Sequence, residues 1–496
     1  MSQLAVLQLI HSLSAAEKRQ FKLFTKKQSG DKDYLYLFDL IDQNNLTNKS
    51  DLEALFKKKR PNGSLDNTAR YLYKLLMDCL VWSRIKEDPS YQQLYGWLGV
   101  QVLKERNLNT TGFRELNKLC AAAENSPNKT IQYLLQRERL DLLAQDNFRD
   151  MKEQDLIKAQ MKTRELLKNI RNTHEHHSLY ELLKLRLLRS GKILNEEGKK
   201  KLNDLLLSEM GILNGRVKDN MESRKLHLLF QSYFFTYVGE YRSALKAFHE
   251  LNRLFEKSPT LWRYPPFNYF SALDGILDSL RTNRYFAEMG FYIEKLQQLD
   301  KARYPEYFRS LIRKTVLIYR LTILTGTAQI PAAITLIEET PPELWETYQM
   351  VDDDKEKELL FYIGRCWFSA GKKKIAQKFL ASATQLGKAN HRAMPYKAAR
   401  LLAIIISYEQ KELEYLDYEI RSYKRSLQGK QKLLKTERLI FKVIQLQPDL
   451  NHKRKNELLW TAKLAALHSD IQQDKFEQQL LKYYDFTQWA QGKFLT

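Results

Sequence analysis

The sequence predicts an all-α fold: an α-solenoid of about seven or eight helical hairpins behind a helical N-terminal block without the repeat. Three observations predict it. Glycine and proline number only 18 and 12 among 496 residues, too few turn formers for a sheet protein, whose strands reverse often. Leu, Lys, Gln, Glu, Ala and Arg dominate, and all are good helix formers. Turn residues also recur regularly: Asn107, Asp146, Gly191, Gly239, Asn283, Gly326, Gly371 and Lys411 are separated by 39, 45, 48, 44, 43, 45 and 40 residues.

Residues 1–90 form the first block. Ser14 and Glu17 in "SAAE" make a capping box that opens one helix. Ser29-Gly30 separates it from "DYLYLFDLID", and "RPNGS" separates two further helices. Residues 91–447 form the array. Pro127, Pro259, Pro305, Pro341, Pro395 and Pro448 fall where second helices should end, and Pro331 falls near a helix start. Residues 448–496 are expected to supply two amphipathic capping helices, because the last apolar face of an array must be covered.

Two hairpins carry the clearest pattern. Leu360, Ile363, Gly364 and Trp367 recur at three- and four-residue intervals before Gly371, and Ala376, Leu380 and Ala383 do so after it. Ser232, Phe235, Gly239, Tyr241, Ala244, Phe248 and Leu251 occupy the same offsets in an earlier unit. The pattern resembles the tetratricopeptide repeat, with small, aromatic, turn-glycine and small–large–small positions. Lys373 stands where the family has an aromatic, and the period exceeds the family's usual length of about 34. The resemblance implies a right-handed array. The N-terminal block resembles those of uncharacterised helical-repeat proteins of Bacteroidota, which implies a bacterial origin and no particular activity.

The net charge of +22 suggests an anionic partner or surface, or simply solvated lysines on outer helix faces. Cys79, Cys120 and Cys366 are too few and too far apart for a disulfide framework or a zinc site, which fits a reducing compartment. The N-terminus lacks the basic start of a signal peptide, and no apolar run is long enough to span a membrane. A cytoplasmic protein with no membrane partner is expected.

The search for catalytic chemistry nominates no residue. "SAGKKKI" around Gly371 lacks the first glycine and the hydroxyl of a phosphate loop. His174 and His177 in "HEHH" lie one helical turn apart but lack a third ligand, so a solvated loop or helix start is the better account. Asp352 to Asp354 stand where carboxylates complement a helix N-terminus. No nucleophile elbow, zinc motif or dinucleotide fingerprint is present. A non-enzymatic protein is expected, with no catalytic, cofactor-binding or metal-binding residue.

Binding is the remaining class. In the tetratricopeptide family the first helix of each pair lines a concave groove. Carried over by offset, the resemblance implies that Tyr233, Tyr237, Arg320, Phe361, Arg365 and Phe368 face that groove. Arg320 and Arg365 occupy equivalent places in neighbouring units, so they are expected to hold an extended acidic segment. The competing account packs Phe361 and Phe368 between units. The asparagines of the family's carboxylate clamp are missing, so capture of a free C-terminus is not expected. The expected function is a protein- or peptide-binding scaffold.

Two alternatives compete with it. One is nucleic-acid binding along Arg421, Lys424, Arg425, Lys430, Lys432 and Lys435, interleaved with Tyr418 and Tyr423, or along the run His452 to Lys455. The other is a DNA-binding N-terminal block, with Lys57 to Arg60, Asn67 and Arg70 near a groove, controlled by the repeats. Against it, Tyr71, Leu72, Leu75 and Leu76 mark that helix as mostly core.

Overall fold

The computed structural model describes residues 3–25, 32–44, 46, 48–124, 126–149, 151–190, 193, 195–213, 220–262, 266–346, 353–385, 393–426, 433–446 and 457–495. Ser29, Gly30, Gly191, Asp352, Lys430, Lys432, Pro448 and the run His452 to Lys455 lie outside the described residues. The chain is all-α, and no strand occurs among the described residues. No described helix is long and apolar enough to cross a membrane.

The chain divides into two compact units. The first comprises residues 1–175, 217–223 and 301–306. It contains α1 (Gln3–Ser12), α2 (Ala15–Thr25), α3 (Asp33–Asn44), α4 (Lys49–Lys59), α5 (Leu65–Glu87), α6 (Pro89–Glu105), α7 (Asn109–Ala123) and α8 (Lys129–Gln145). The capping box forms as expected: Ser14 N–H donates to Glu17 Oε2 at 2.8 Å, and Glu17 N–H donates back to Ser14 Oγ at 3.3 Å. Phe21, Leu37, Phe38, Ile41, Leu52, Phe56, Leu72 and Leu76 make one core around α5. A smaller core of Val100, Leu116, Ile131 and Leu135 joins α6, α7 and α8. Helix α9 (Glu153–Ser190) belongs to this unit up to Glu175 and to the second from His176.

The second unit comprises residues 176–216, 224–300 and 307–496. After α10 (Glu196–Lys200) and α11 (Asn203–Leu213) come α12 (Met221–Tyr237), α13 (Tyr241–Lys257), α14 (Phe267–Thr282), α15 (Phe286–Gln297), α16 (Glu306–Gly326) and α17 (Ile330–Glu339). A single turn, α18 (Glu343–Glu346), leads to α19 (Asp353–Ser369), α20 (Lys373–Gln385), α21 (Met394–Glu409), α22 (Leu413–Ser426) and α23 (Lys435–Leu446). The C-terminal part holds α24 (Glu457–Gln473), the one-turn α25 (Gln478–Leu481) and α26 (Phe486–Leu495).

Among the described residues, turns stand at or beside Asn107, Asp146, Gly239, Asn283, Gly326, Gly371 and Lys411. Gly239 and Gly371 adopt φ of +79° and +77°, the left-handed conformation that glycine takes without penalty. Asn107, Asn147, Phe148, Arg284, Ala328 and Lys411 are also left-handed, each within two residues of an expected turn. Across the turn at Gly371 the helices pack closely. A Cβ on Gly364 would stand 3.0 Å from Leu380 Cγ and 3.3 Å from the Ala376 carbonyl, so the absent side chain lets α19 and α20 meet. One proline departs from expectation. Pro395 lies in the first turn of α21, where its missing N–H costs nothing, rather than at a helix end.

The main core of the second unit gathers Leu317, Ile318, Leu359, Phe361, Ile363, Leu380, Leu402, Ile405, Ile440 and Phe441. It also includes Ile471, Leu480, Leu481, Tyr483, Phe486 and Trp489 from the last 26 residues. The C-terminal residues therefore pack into the second unit along much of their length.

Candidate functional site

Residues 474–489 contact the turn after α12 and then α14, α19 and α21 in order. The contacts begin at the turn after α12. Lys475 Nζ binds Glu240 at 2.9 Å and Glu196 at 2.7 Å. Burial works against this ammonium, but the two carboxylates outweigh it and push its pKa up to about 12. A Cβ on Gly239 would stand 2.9 Å from the Lys475 carbonyl oxygen, so glycine serves the close approach as well as the left-handed turn. Gln479 Nε2 then donates to the Ile193 carbonyl at 2.7 Å.

The segment next crosses α14 and α19. Lys482 Nζ donates to both carboxylate oxygens of Asp278, at 2.6 and 2.9 Å. Arg365 Nη1 donates to the Tyr483 carbonyl at 2.7 Å, and the Tyr362 hydroxyl to the Lys482 carbonyl at 3.4 Å. The Tyr483 ring meets Phe361 edge-on at 5.6 Å, and Tyr484 meets Phe368 at 6.1 Å. Arg284 pairs with Asp485 at 2.9 Å. At the far end Trp489 Nε1 donates to Glu409 at 3.0 Å and its ring packs edge-on against Tyr408. Glu477 meanwhile accepts from the Lys435 and Thr436 amides at 2.7 and 3.1 Å, so the segment caps the N-terminus of α23.

Beneath this segment lies a charge cluster. Arg281, only 3% exposed, binds Glu358 Oε1 at 2.5 Å and also pairs with Asp278. Lys355 binds Asp274 at 2.6 Å, and the Tyr319 hydroxyl donates to the same Asp274 oxygen at 2.7 Å. Three carboxylates, Asp274, Asp278 and Glu358, thus balance three cations, Arg281, Lys355 and Lys482. Burial disfavours every charge here, yet Arg281 and Lys355 hold Glu358 below the usual carboxylate range. For Lys482 burial prevails over Asp278, and its pKa falls.

The six residues expected in a groove divide. Phe361, Arg365 and Phe368 come together on Tyr483 and Tyr484. Arg365 takes a backbone carbonyl there, not an acidic side chain. Tyr233 meets Tyr180 at 5.7 Å and Lys184 at 6.0 Å, while Tyr237 is half-buried and its carbonyl accepts from Ile193 N–H. Arg320 is exposed, and its neighbour Tyr319 is the side chain turned into the cluster.

The other candidates have plain surroundings. His174 and His177 lie within α9, where the buried neighbour His176 meets His227 at 6.3 Å. Among the described residues no group of three His, Cys, Asp or Glu could hold a metal ion. Lys57 pairs with Glu53 and Arg60 with Asp33, while Asn67 N–H donates to the Ser64 cap and Arg70 is exposed. Tyr418 is exposed, whereas Tyr423 is buried with its hydroxyl on Glu437. Lys435 binds Asp470 and Asp474.

Sequence reasoning missed Asp274, Asp278, Arg281, Glu358 and Lys482. The available signal was a charge inside an apolar stripe, as with Arg281 one residue after the buried Leu280. The surface as built holds a backbone through donors, an ammonium through carboxylates and rings through rings. No family model matches the chain, and neither a curated protein nor a solved structure matches it.

Proposed function

We propose that this chain is a non-enzymatic scaffold, arranged as a tetratricopeptide-like array, that binds a protein segment on the faces of α14, α19 and α21. One observation carries the reading. The same faces already hold residues 482–489 of the chain itself through backbone acceptors, an ammonium and aromatic side chains. Backbone capture gives affinity for any polypeptide, and the ring and charge contacts select among sequences. The buried thiols of Cys79, Cys120 and Cys366 support a reducing, cytoplasmic setting.

The test is a selection of random 16-residue peptides displayed on phage against the full chain. Enriched peptides should bind it in solution, and in a Tyr484→Ala background, where Phe368 no longer meets the chain's own ring, should lose at least about tenfold in affinity with Phe368→Ala, about 1.4 kcal/mol. No enrichment, or binding indifferent to Phe368→Ala in that background, would remove the scaffold reading.

A further inference from the structure

Helix α6, in the first unit, turns an apolar side to solvent. It buries Gln93 and Val100, 5% and 1% exposed, and Val100 joins the core shared with α7 and α8. On the opposite side of the helix Tyr91, Leu94, Tyr95, Leu98 and Val102 stand 41–54% exposed. A surface helix ordinarily presents polar residues there. Tyr91, Tyr95, Leu98 and Val102 are spaced four, three and four apart, the seam along which one helix packs on another. Residues 89–103 carry no charge at all, in a chain that is 28% charged.

Helix α5 extends this face. Its Met77, Val81 and Trp82 are 36–47% exposed, and the Trp82 ring stands 5.5 Å from that of Tyr95. Together the eight side chains present roughly 700 Å², above the roughly 300–600 Å² of the largest patch on a typical monomer. Each partner in a stable interface contributes roughly 800 Å². The face is large enough for one.

Charge selects the occupant. The chain carries +22, so two copies repel over most of their surface. Between residues 74 and 106 the exposed charges balance instead, with Lys74, Lys86 and Arg106 against Asp78, Glu87 and Glu105. An anionic lipid surface calls for aromatics rimmed by cations, and an acidic partner calls for a basic face. This face is neither. In a twofold contact residue i of one copy meets j of the other and j meets i, so a rim of both signs is complementary to itself.

We infer that the outer faces of α5 and α6 form a twofold interface with a second copy of this chain, α6 packing against α6. The inference goes beyond the scaffold reading, which concerns the second unit, and does not rest on it.

The experiment is sedimentation equilibrium of the full chain between about 1 and 50 μM, concentrations at which an interface of this size is populated. The wild type should sediment as a dimer. Leu98 lies near the middle of the seam, so it stands close to its counterpart whichever way the two helices run. Leu98→Glu should raise the dimer Kd at least about thirtyfold, as loss of a central anchor does. Leu98→Lys should do the same, and an equimolar mixture of the two should recover at least about tenfold of that loss as a heterodimer. Tyr91→Glu, at the end of the seam, supplies a second break if circular dichroism finds a Leu98 variant unfolded. Tyr418→Glu, on an exposed ring of the second unit, should leave the Kd unchanged.

A wild type that stays monomeric at about 50 μM would overturn the inference. So would a dimer that Leu98→Glu and Tyr91→Glu leave intact, or one that Tyr418→Glu weakens equally. A monomer that binds phosphatidylserine vesicles, and releases them with Trp82→Ala, would assign the face to a membrane surface and also overturn it.

Discussion

Arg365 donates from Nη1 to the carbonyl oxygen of Tyr483, 118 residues further along the chain, at 2.7 Å. The arginine is half-buried, and its guanidinium also lies 5.9 and 5.8 Å from the rings of Tyr362 and Tyr484. One side chain thereby ties α19 to the last residues of the protein. Removing it leaves a carbonyl without its charged donor, which typically costs about 1.5–3 kcal/mol. Arg365→Ala should therefore lower the unfolding free energy by that amount in a urea titration. Arg320→Ala, on an exposed side chain, should change it by less than about 0.5 kcal/mol.

Close helix packing gives the second prediction. At Gly364 a Cβ would already crowd Leu380 and the Ala376 carbonyl, so Gly364→Leu should overpack the α19–α20 contact and cost about 1–3 kcal/mol. Gly99 on α6 has nothing within 4 Å of its missing Cβ and lies inside a helix, so Gly99→Ala should stabilise by about 0.5–1 kcal/mol. Thermal melts of the two variants should shift in opposite directions.

Acid gives the third. Burial raises the Glu409 pKa, but hydrogen bonds from Trp489 and Lys373 and the charge of Lys373 and Lys493 outweigh it and leave the carboxyl below its usual 4.5. A carboxyl lowered in the folded state binds fewer protons there than in the unfolded chain, so stability rises with pH through that window. Its contribution is complete above the unfolded value and disappears as pH falls through the folded one. Urea midpoints compared at about pH 6 and about pH 3 should fall less in Glu409→Gln than in the wild type. Lys373→Ala, which removes a partly exposed partner 2.9 Å from Glu409, should cost no more than about 1 kcal/mol.

The turns were legible in the sequence because apolar periodicity breaks wherever a helix ends, and Gly239 and Gly371 mark two such breaks by residue type. Arg284, Ala328 and Lys411 carry left-handed backbone without being glycine, so residue type alone would not find them. The local capping box of Ser14 and Glu17 was legible for the same reason: both partners lie within one turn. The long-range contacts were not legible. Helical offset puts Phe361, Arg365 and Phe368 on one helix but does not name Tyr483 and Tyr484, which they meet. Lys482 and Asp278 stand 204 residues apart. Neither has a local pattern that names the other, and Tyr483 and Tyr484 read like any aromatic pair near a chain end. A polar residue's partner is decided by tertiary packing, which periodicity does not record.

Charge supplies the fourth prediction. With a net charge of +22 the chain should associate with single-stranded RNA at low salt. At about 0.15 M salt the binding should be non-specific and no tighter than a Kd of about 1 μM, with affinity falling steeply as salt rises. Tighter binding at that salt, lost on neutralising Arg421, Lys424, Arg425 and Lys435, would favour the nucleic-acid alternative.

Lys482 seats the C-terminal residues against α14 through Asp278. A double-mutant cycle would compare wild type, Asp278→Asn, Lys482→Met and the double variant by urea unfolding. The pair is 2.6 Å apart, with both side chains largely buried, so each single change leaves a charge without its partner. This docking predicts a coupling of about 1–3 kcal/mol, the double variant being more stable than the sum of the two losses. Additive losses, within about 0.3 kcal/mol, would mean that Lys482 does not sit on Asp278, and would contradict it.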